Sequence, residues 1–222
     1  MSKITDYAFL FQKSFGTSGV NAIGSFQLSQ LNSSSVQSKL KAAGINTNSK
    51  QYKAAVKQMM SAGNGAMYGN IQGIKNLMSH YDKDGDYINP VNGLAGLLVT
   101  DENESSRKSI ISIPDSSKEE MYELTKKEFL RENGVHNGDT TKRTDVYNNL
   151  YRKMSKKDRL AAGYTLEKYE RIYRQAFYDA AKKADPNWEI GKPIKDGGLD
   201  SVTRETAESG KSPAQATLDT KI

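Results

Sequence analysis

Thr165-Leu166-Glu167-Lys168-Tyr169-Glu170-Arg171-Ile172-Tyr173-Arg174-Gln175-Ala176-Phe177-Tyr178-Asp179-Ala180-Ala181-Lys182-Lys183-Ala184-Asp185-Pro186 carries the clearest structural signal in the chain. Tyr169, Ile172, Tyr173, Ala176, Phe177, Ala180 and Ala184 recur at helical spacing and share one face, whereas Lys168, Arg171, Gln175 and Lys182 point away from it. Thr165 stands where a helix cap belongs, and Pro186 ends the run. Because the aromatic stripe coincides with the apolar stripe, it reads as core and not as a platform for nucleic-acid bases. Tyr147, Leu150, Tyr151 and Met154 form the helical face expected to receive it.

The same periodicity recurs upstream. Ser116 or Ser117, each with a glutamate three residues on, opens a helix that runs to Asn133-Gly134. Tyr52, Ala55, Val56, Met59 and Met60 mark another helix. Met67, Ile71, Ile74, Leu77 and Met78 mark the next, after the turn Gly63-Asn64-Gly65. Ser34 or Ser35 can cap a short helix that stops at Gly44. Ser109 to Ile113, β-branched and followed by Pro114, is the one strand candidate. The expected fold is therefore mainly α, an irregular helical domain with at most a short strand pair. Residues 1–33 read as a loosely structured N-terminal arm, 34–188 as the helical domain, and 189–222, rich in Gly and Pro, as a flexible and mostly disordered tail.

Composition narrows the chemistry. The chain has no cysteine, which excludes disulfides, thiolate metal sites and a cysteine nucleophile. Its two histidines, His80 and His136, form no zinc-binding pattern. No Gly-rich nucleotide loop and no GxSxG elbow is present. A hydrophobic fraction of 36% contains neither a leader-like stretch at the N-terminus nor a membrane span. The expected protein is soluble, either cytoplasmic or exported by a leaderless route. The net charge of +6 concentrates in residues 142–183, where twelve Lys or Arg face five Asp or Glu. This balance points to solubility first and to an anionic polymer or nucleic acid second.

Tyr81-Asp82-Lys83-Asp84-Gly85-Asp86-Tyr87-Ile88-Asn89-Pro90 places three aspartates at alternate positions around a glycine. Carboxylates so spaced can turn toward one hard cation. Asn89 can cap a following helix with Pro90 at its first position and Val91, Leu94 and Leu98 on its apolar face. The stretch resembles the EF-hand family over 82–93, in a shortened form with Tyr87, Asn89 and Gly93 at the family's glycine, hydrophobic and bidentate-glutamate positions. The resemblance implies a helix-loop-helix holding Ca2+ through Asp82, Asp84, Asp86 and the carbonyl of Ile88 or Tyr87. Asn92, or Asp101, Glu102 or Glu104, would supply further oxygens. Magnesium and an ion-free helix cap are the competing readings. Ile4-Thr5-Asp6-Tyr7, Asp158-Arg159-Leu160 and Asp185-Pro186-Asn187-Trp188, together with the aspartate loop, are also similar to an uncharacterised family of Gram-positive bacteria with no assigned activity.

The functional expectation is a calcium-binding, non-enzymatic accessory or interaction protein whose ion is structural or regulatory. Two alternatives stand beside it: a binder of nucleic acid or anionic polymer through the basic C-terminal helices, and a cell-wall-active enzyme whose acid the sequence does not locate.

Overall fold

The computed structural model describes residues 25–62, 68–133 and 141–209, and is mainly α as expected. Its residues fall into two compact units, Met1–Leu98 and Val99–Ile222. The boundary between the units, at residues 98 and 99, lies within a stretch of turns.

In the first unit, β1 (Phe26–Gln27) pairs antiparallel with β2 (Tyr68–Gly69), Phe26 standing opposite Gly69. Helices α1 (Ser34–Ala42), α2 (Lys50–Ala62) and α3 (Ile71–Met78) begin at polar caps. Ser33 Oγ accepts from Val36 N–H, Ser49 Oγ from Tyr52 N–H, and Asn70 Oδ1 from Gly73 N–H at 2.7 Å. Each cap satisfies a backbone donor that the first turn leaves open. Leu28, Leu31, Leu40, Tyr52, Met59, Ile74 and Leu77 form the core. Phe26, Leu28 and Leu31 belong to the segment read as a loose arm. Hydrophobic spacing alone does not reveal their burial, because a two-residue strand and a 3-10 turn carry them. Residues 1–24, and Met67 in the expected stripe of α3, lie outside the described residues.

In the second unit, α4 (Asp115–Glu132), α5 (Thr141–Lys153) and α6 (Arg159–Ala184) pack on one another, and α7 (Arg204–Glu208) docks on α6. The aromatic face of α6 is buried: Tyr173 and Phe177 are fully inside. Phe177 meets the rings of Tyr122 and Phe129 on α4, with centroids 5.5 and 5.7 Å away. The main receiving surface is therefore α4, while α5 contributes Val146 and Leu150 and leaves Tyr147 and Met154 only partly covered.

Two expectations, the Thr165 cap and the 109–113 strand, need correction here. Thr165 is not a cap, because α6 starts at Arg159 and Thr165 Oγ1 turns back to donate to the Ala161 carbonyl at 2.8 Å. The same oxygen accepts from Ile111 N–H at 3.1 Å, so 109–113 is held by a side chain, not by a strand partner, and forms no strand. Of the segment read as a tail, residues 189–209 are described: Leu199, Val202 and Ala207 are buried there beside Trp188, and the Tyr122 hydroxyl donates to the Val202 carbonyl at 2.6 Å.

Gly163 explains the close fit of α6 on α5. A Cβ there would stand 2.6 Å from Tyr151 Oη and 3.1 Å from its ring. Alanine would gain about 1 kcal/mol in helix propensity but overfill a packed contact, at about 1–3 kcal/mol. Gly163→Ala is expected to lower stability in urea unfolding, and Tyr151→Phe, which removes the obstructing hydroxyl, to restore part of the loss. A more stable Gly163→Ala protein would contradict the close approach.

Candidate functional site

The aspartate turn leaves α3 through a closed neck. Tyr81 and Tyr87 form an antiparallel bridge with rings edge to face at 5.9 Å, and Ile88 N–H donates to the His80 carbonyl at 2.8 Å. Inside the neck, Asp82 N–H donates to the Asp86 carbonyl at 2.9 Å and Gly85 N–H to the Asp82 carbonyl at 3.0 Å. Asp82 Oδ1 accepts from the N–H groups of Asp84 and Asp86, both at 2.9 Å. Gln51 on α2 fixes the approach by donating to the carbonyls of Met78 and Tyr81. Gly85 has φ +87° and lies where a Cβ would press to 3.1 Å from the Lys50 carbonyl, so backbone angle and space both favour glycine.

A second turn replaces the helix expected after Pro90. Asn89 Oδ1 accepts from Val91 N–H at 2.9 Å, and Gly93 N–H closes a single turn on the Asn89 carbonyl. Gly93 then enters the left-handed region at φ +71° and returns the chain, so that Ile88 bridges Ala95. Val91 is 83% exposed and belongs to no apolar face. The aspartate turn therefore lies between α3 and a second hairpin-like turn, not in a helix-loop-helix.

The carboxylates of the turn are near one another in sequence. Asp82, Asp84 and Asp86 share one five-residue turn, but one oxygen of Asp82 is held by two backbone donors, and Asn92 Oδ1 accepts from Leu94 N–H at 3.0 Å. Ile88 stands at the bridge to Ala95. Asp101, Glu102 and Glu104 belong to the second unit. Among the described residues, no group of three or more His, Asp or Glu side chains is gathered tightly enough to hold a metal. Calcium takes six to eight oxygens, more than the three carboxylates of the turn offer by themselves.

The second unit carries a different electrostatic feature, which sequence spacing does not disclose. Glu170 is 8% exposed and meets two guanidiniums. Arg143 approaches it in a fork, Nη1 to Oε2 at 2.6 Å and Nη2 to Oε1 at 2.9 Å, and Arg174 Nε reaches Oε1 at 3.1 Å. Arg143 also pairs with Glu128, and Arg174 bridges Glu128 and Glu132. Burial opposes ionisation of Glu170, but hydrogen bonds and charge from Arg143 and Arg174 outweigh it and hold the carboxyl below its ordinary pKa. A catalytic acid needs the opposite shift. Lys153 pairs with Glu120 and Arg171 with Glu167, so part of the basic charge counted in 142–183 is neutralised within the helices.

The basic signal missed in the sequence lies elsewhere: residues 7–81 contain no aspartate or glutamate. No helix among the described residues is long and apolar enough to cross a membrane. His136 lies outside the described residues.

Comparison with known proteins gives one result. No curated protein and no solved structure matches the chain. A family model described as "Domain of unknown function (DUF3879)" matches residues 45–222, which include α2, the aspartate turn and the whole second unit. With most of its length matched, the chain belongs to this uncharacterised family.

Proposed function

We propose that the protein is a non-enzymatic accessory protein that works by binding, and that weak calcium occupancy of the Asp82–Asp86 turn stabilises its first unit. The observation that supports this is the closed turn itself. Three carboxylates are confined to five residues behind the Tyr81–Tyr87 bridge, and one divalent cation among them would relieve their mutual repulsion. Asp84 and Asp86 would supply oxygens beside Asp82, with water completing the shell. The incomplete donor set sets the expected affinity at the weak end of the EF-hand range, roughly 10⁻⁴ to 10⁻³ M. Such a site fills only where calcium is abundant.

The engaged state of Glu170 favours binding over catalysis in the second unit, since its carboxylate is tied to two arginines. Calorimetric titration of the whole protein with calcium is expected to show binding in that range, together with a rise in melting temperature over the chelated protein. Asp84→Ala is expected to remove both. Absence of heat and of thermal shift in wild type would leave the turn as a backbone cap, and sub-micromolar affinity would require ligands that the turn does not offer.

A further inference from the structure

Between Tyr7 and Tyr81 lie seven lysines, Lys13, Lys39, Lys41, Lys50, Lys53, Lys57 and Lys75, and no acidic residue. The six described ones are all exposed, and none makes an ion pair among the described residues. This contrasts with the second unit, where arginines and lysines are matched to glutamates brought in from neighbouring helices. Unneutralised like charge destabilises a compact unit, so its concentration here suits an anionic partner from outside the chain.

The lysines do not stand on a featureless surface. Lys50, Lys53 and Lys57 lie at i, i+3 and i+7 on α2, opposite the buried Tyr52, Ala55 and Met59, and span roughly 10 Å along the axis. Lys53 and Lys57 line a shallow groove of ≈ 530 Å³ together with Asn32, Gln37, Thr47 and Asn48. Lys41 stands one turn along α1 from Gln37, on the same side of that helix. Lys50 borders the aspartate turn, since Gly85 packs against its carbonyl, so the groove proper depends on Lys53 and Lys57.

We propose that this groove binds a linear anionic polymer of carbohydrate type, one that carries sulfate, phosphate or carboxylate groups on a hydroxyl-rich backbone. Lysine ammonium groups act as point charges toward the anions, and the amide and hydroxyl side chains of Asn32, Thr47 and Asn48 exchange hydrogen bonds with the hydroxyls. Two features disfavour nucleic acid. Tyr52, the aromatic residue at the groove, is only 5% exposed and has its hydroxyl engaged by Gln37, so it offers no stacking face. No arginine occurs before Arg107, so the first unit lacks the fork that reads bases and clamps phosphates.

Titration of the full chain with heparin as the probe, in chelator so that calcium plays no part, tests the assignment. Wild type is expected to bind at low salt and to lose affinity steeply as salt rises. Lys53→Gln with Lys57→Gln should weaken binding about tenfold or more and flatten the salt dependence by about two charges. Thr47→Ala with Asn48→Ala should weaken it without changing that slope. Lys183→Gln with Lys192→Gln, an equal charge loss on exposed residues of the second unit, should change it less than about twofold. The proposal is overturned by a wild type that does not bind heparin at low salt, or by equal losses from the two lysine pairs. Tighter binding of duplex DNA with the same dependence on Lys53 and Lys57 would overturn it too and assign the groove to nucleic acid.

Discussion

Phe177→Ala is expected to cost about 3–5 kcal/mol, the range for emptying a fully buried aromatic site. Phe177 is inaccessible to solvent and touches the rings of Tyr122 and Phe129, so truncation removes contacts to α4 from the centre of the second unit. The surrounding rings cannot simply close the gap. Tyr122 is tied through its hydroxyl to Val202, and Tyr173 donates its hydroxyl to Glu208 at 2.6 Å. Removing Arg171 and Lys182 together is expected to change stability by well under 1 kcal/mol, because a partly exposed i,i+4 ion pair such as Arg171–Glu167 contributes little. Denaturant unfolding of both variants compares the two faces of α6 directly. An unchanged midpoint for Phe177→Ala, coupled with loss of binding to single-stranded nucleic acid, would reassign the stripe as a stacking surface.

Arg143→Met is expected to cost a comparable amount, about 3–5 kcal/mol at neutral pH, because it strands buried carboxylates. The lattice places Arg143 and Arg174 among Glu128, Glu132 and Glu170; without Arg143, three carboxylates share one guanidinium. Glu170→Gln should cost less, since it leaves two arginines matched to two glutamates. The pH dependence has a defined sign. Because Glu170 titrates below its ordinary value of 4.5, its contribution is complete above that pH and is lost as pH falls through the lowered folded value. Losing Arg143 removes the main group that holds that value down. The deficit of Arg143→Met should therefore shrink as the solution is acidified below about pH 5. A deficit that stays constant from neutral to acid pH would show that the lattice does not act through ionised Glu170.

Local pattern made most of the helices legible. The stripes of α2, α3 and α6 are periodic, and Gly44 ends its segment at φ +79° as a C-terminal glycine should. The start of α6 was hidden, because Ala161, Ala162 and Gly163 look like weak, small-residue sequence until Tyr151 is seen to require the space. The 189–209 segment was hidden for a related reason. Its buried residues, Leu199, Val202 and Ala207, follow no helical or strand period, since the surface of α4 and α6 positions them.

The acidic residues of the candidate turn were legible in the sequence, and the shape of the turn was not. Asn89 accepts from Val91 N–H as the cap of a helix would, but Gly93 four residues later ends the single turn, and no helix follows. Charge was the least transparent property. A window count over 142–183 made those helices look strongly basic, while their partners Glu120, Glu128 and Glu132 lie outside that window on α4. The uninterrupted lysines of residues 7–81 needed only the observation that acid was missing there.

The reading of the aspartate turn as a calcium site is tested most directly by following backbone amide resonances during a calcium titration. Asp84 and Asp86 donate their N–H groups to Asp82 Oδ1, so an ion that draws on the Asp82 carboxylate must perturb those two amides first. The expected result is saturable shifts centred on residues 82–86 and fading along 87–96, with smaller shifts from magnesium at equal concentration. Unmoved Asp84 and Asp86 amides at millimolar calcium, or shifts spread evenly over the exposed acids of the second unit, would contradict a calcium site in this turn.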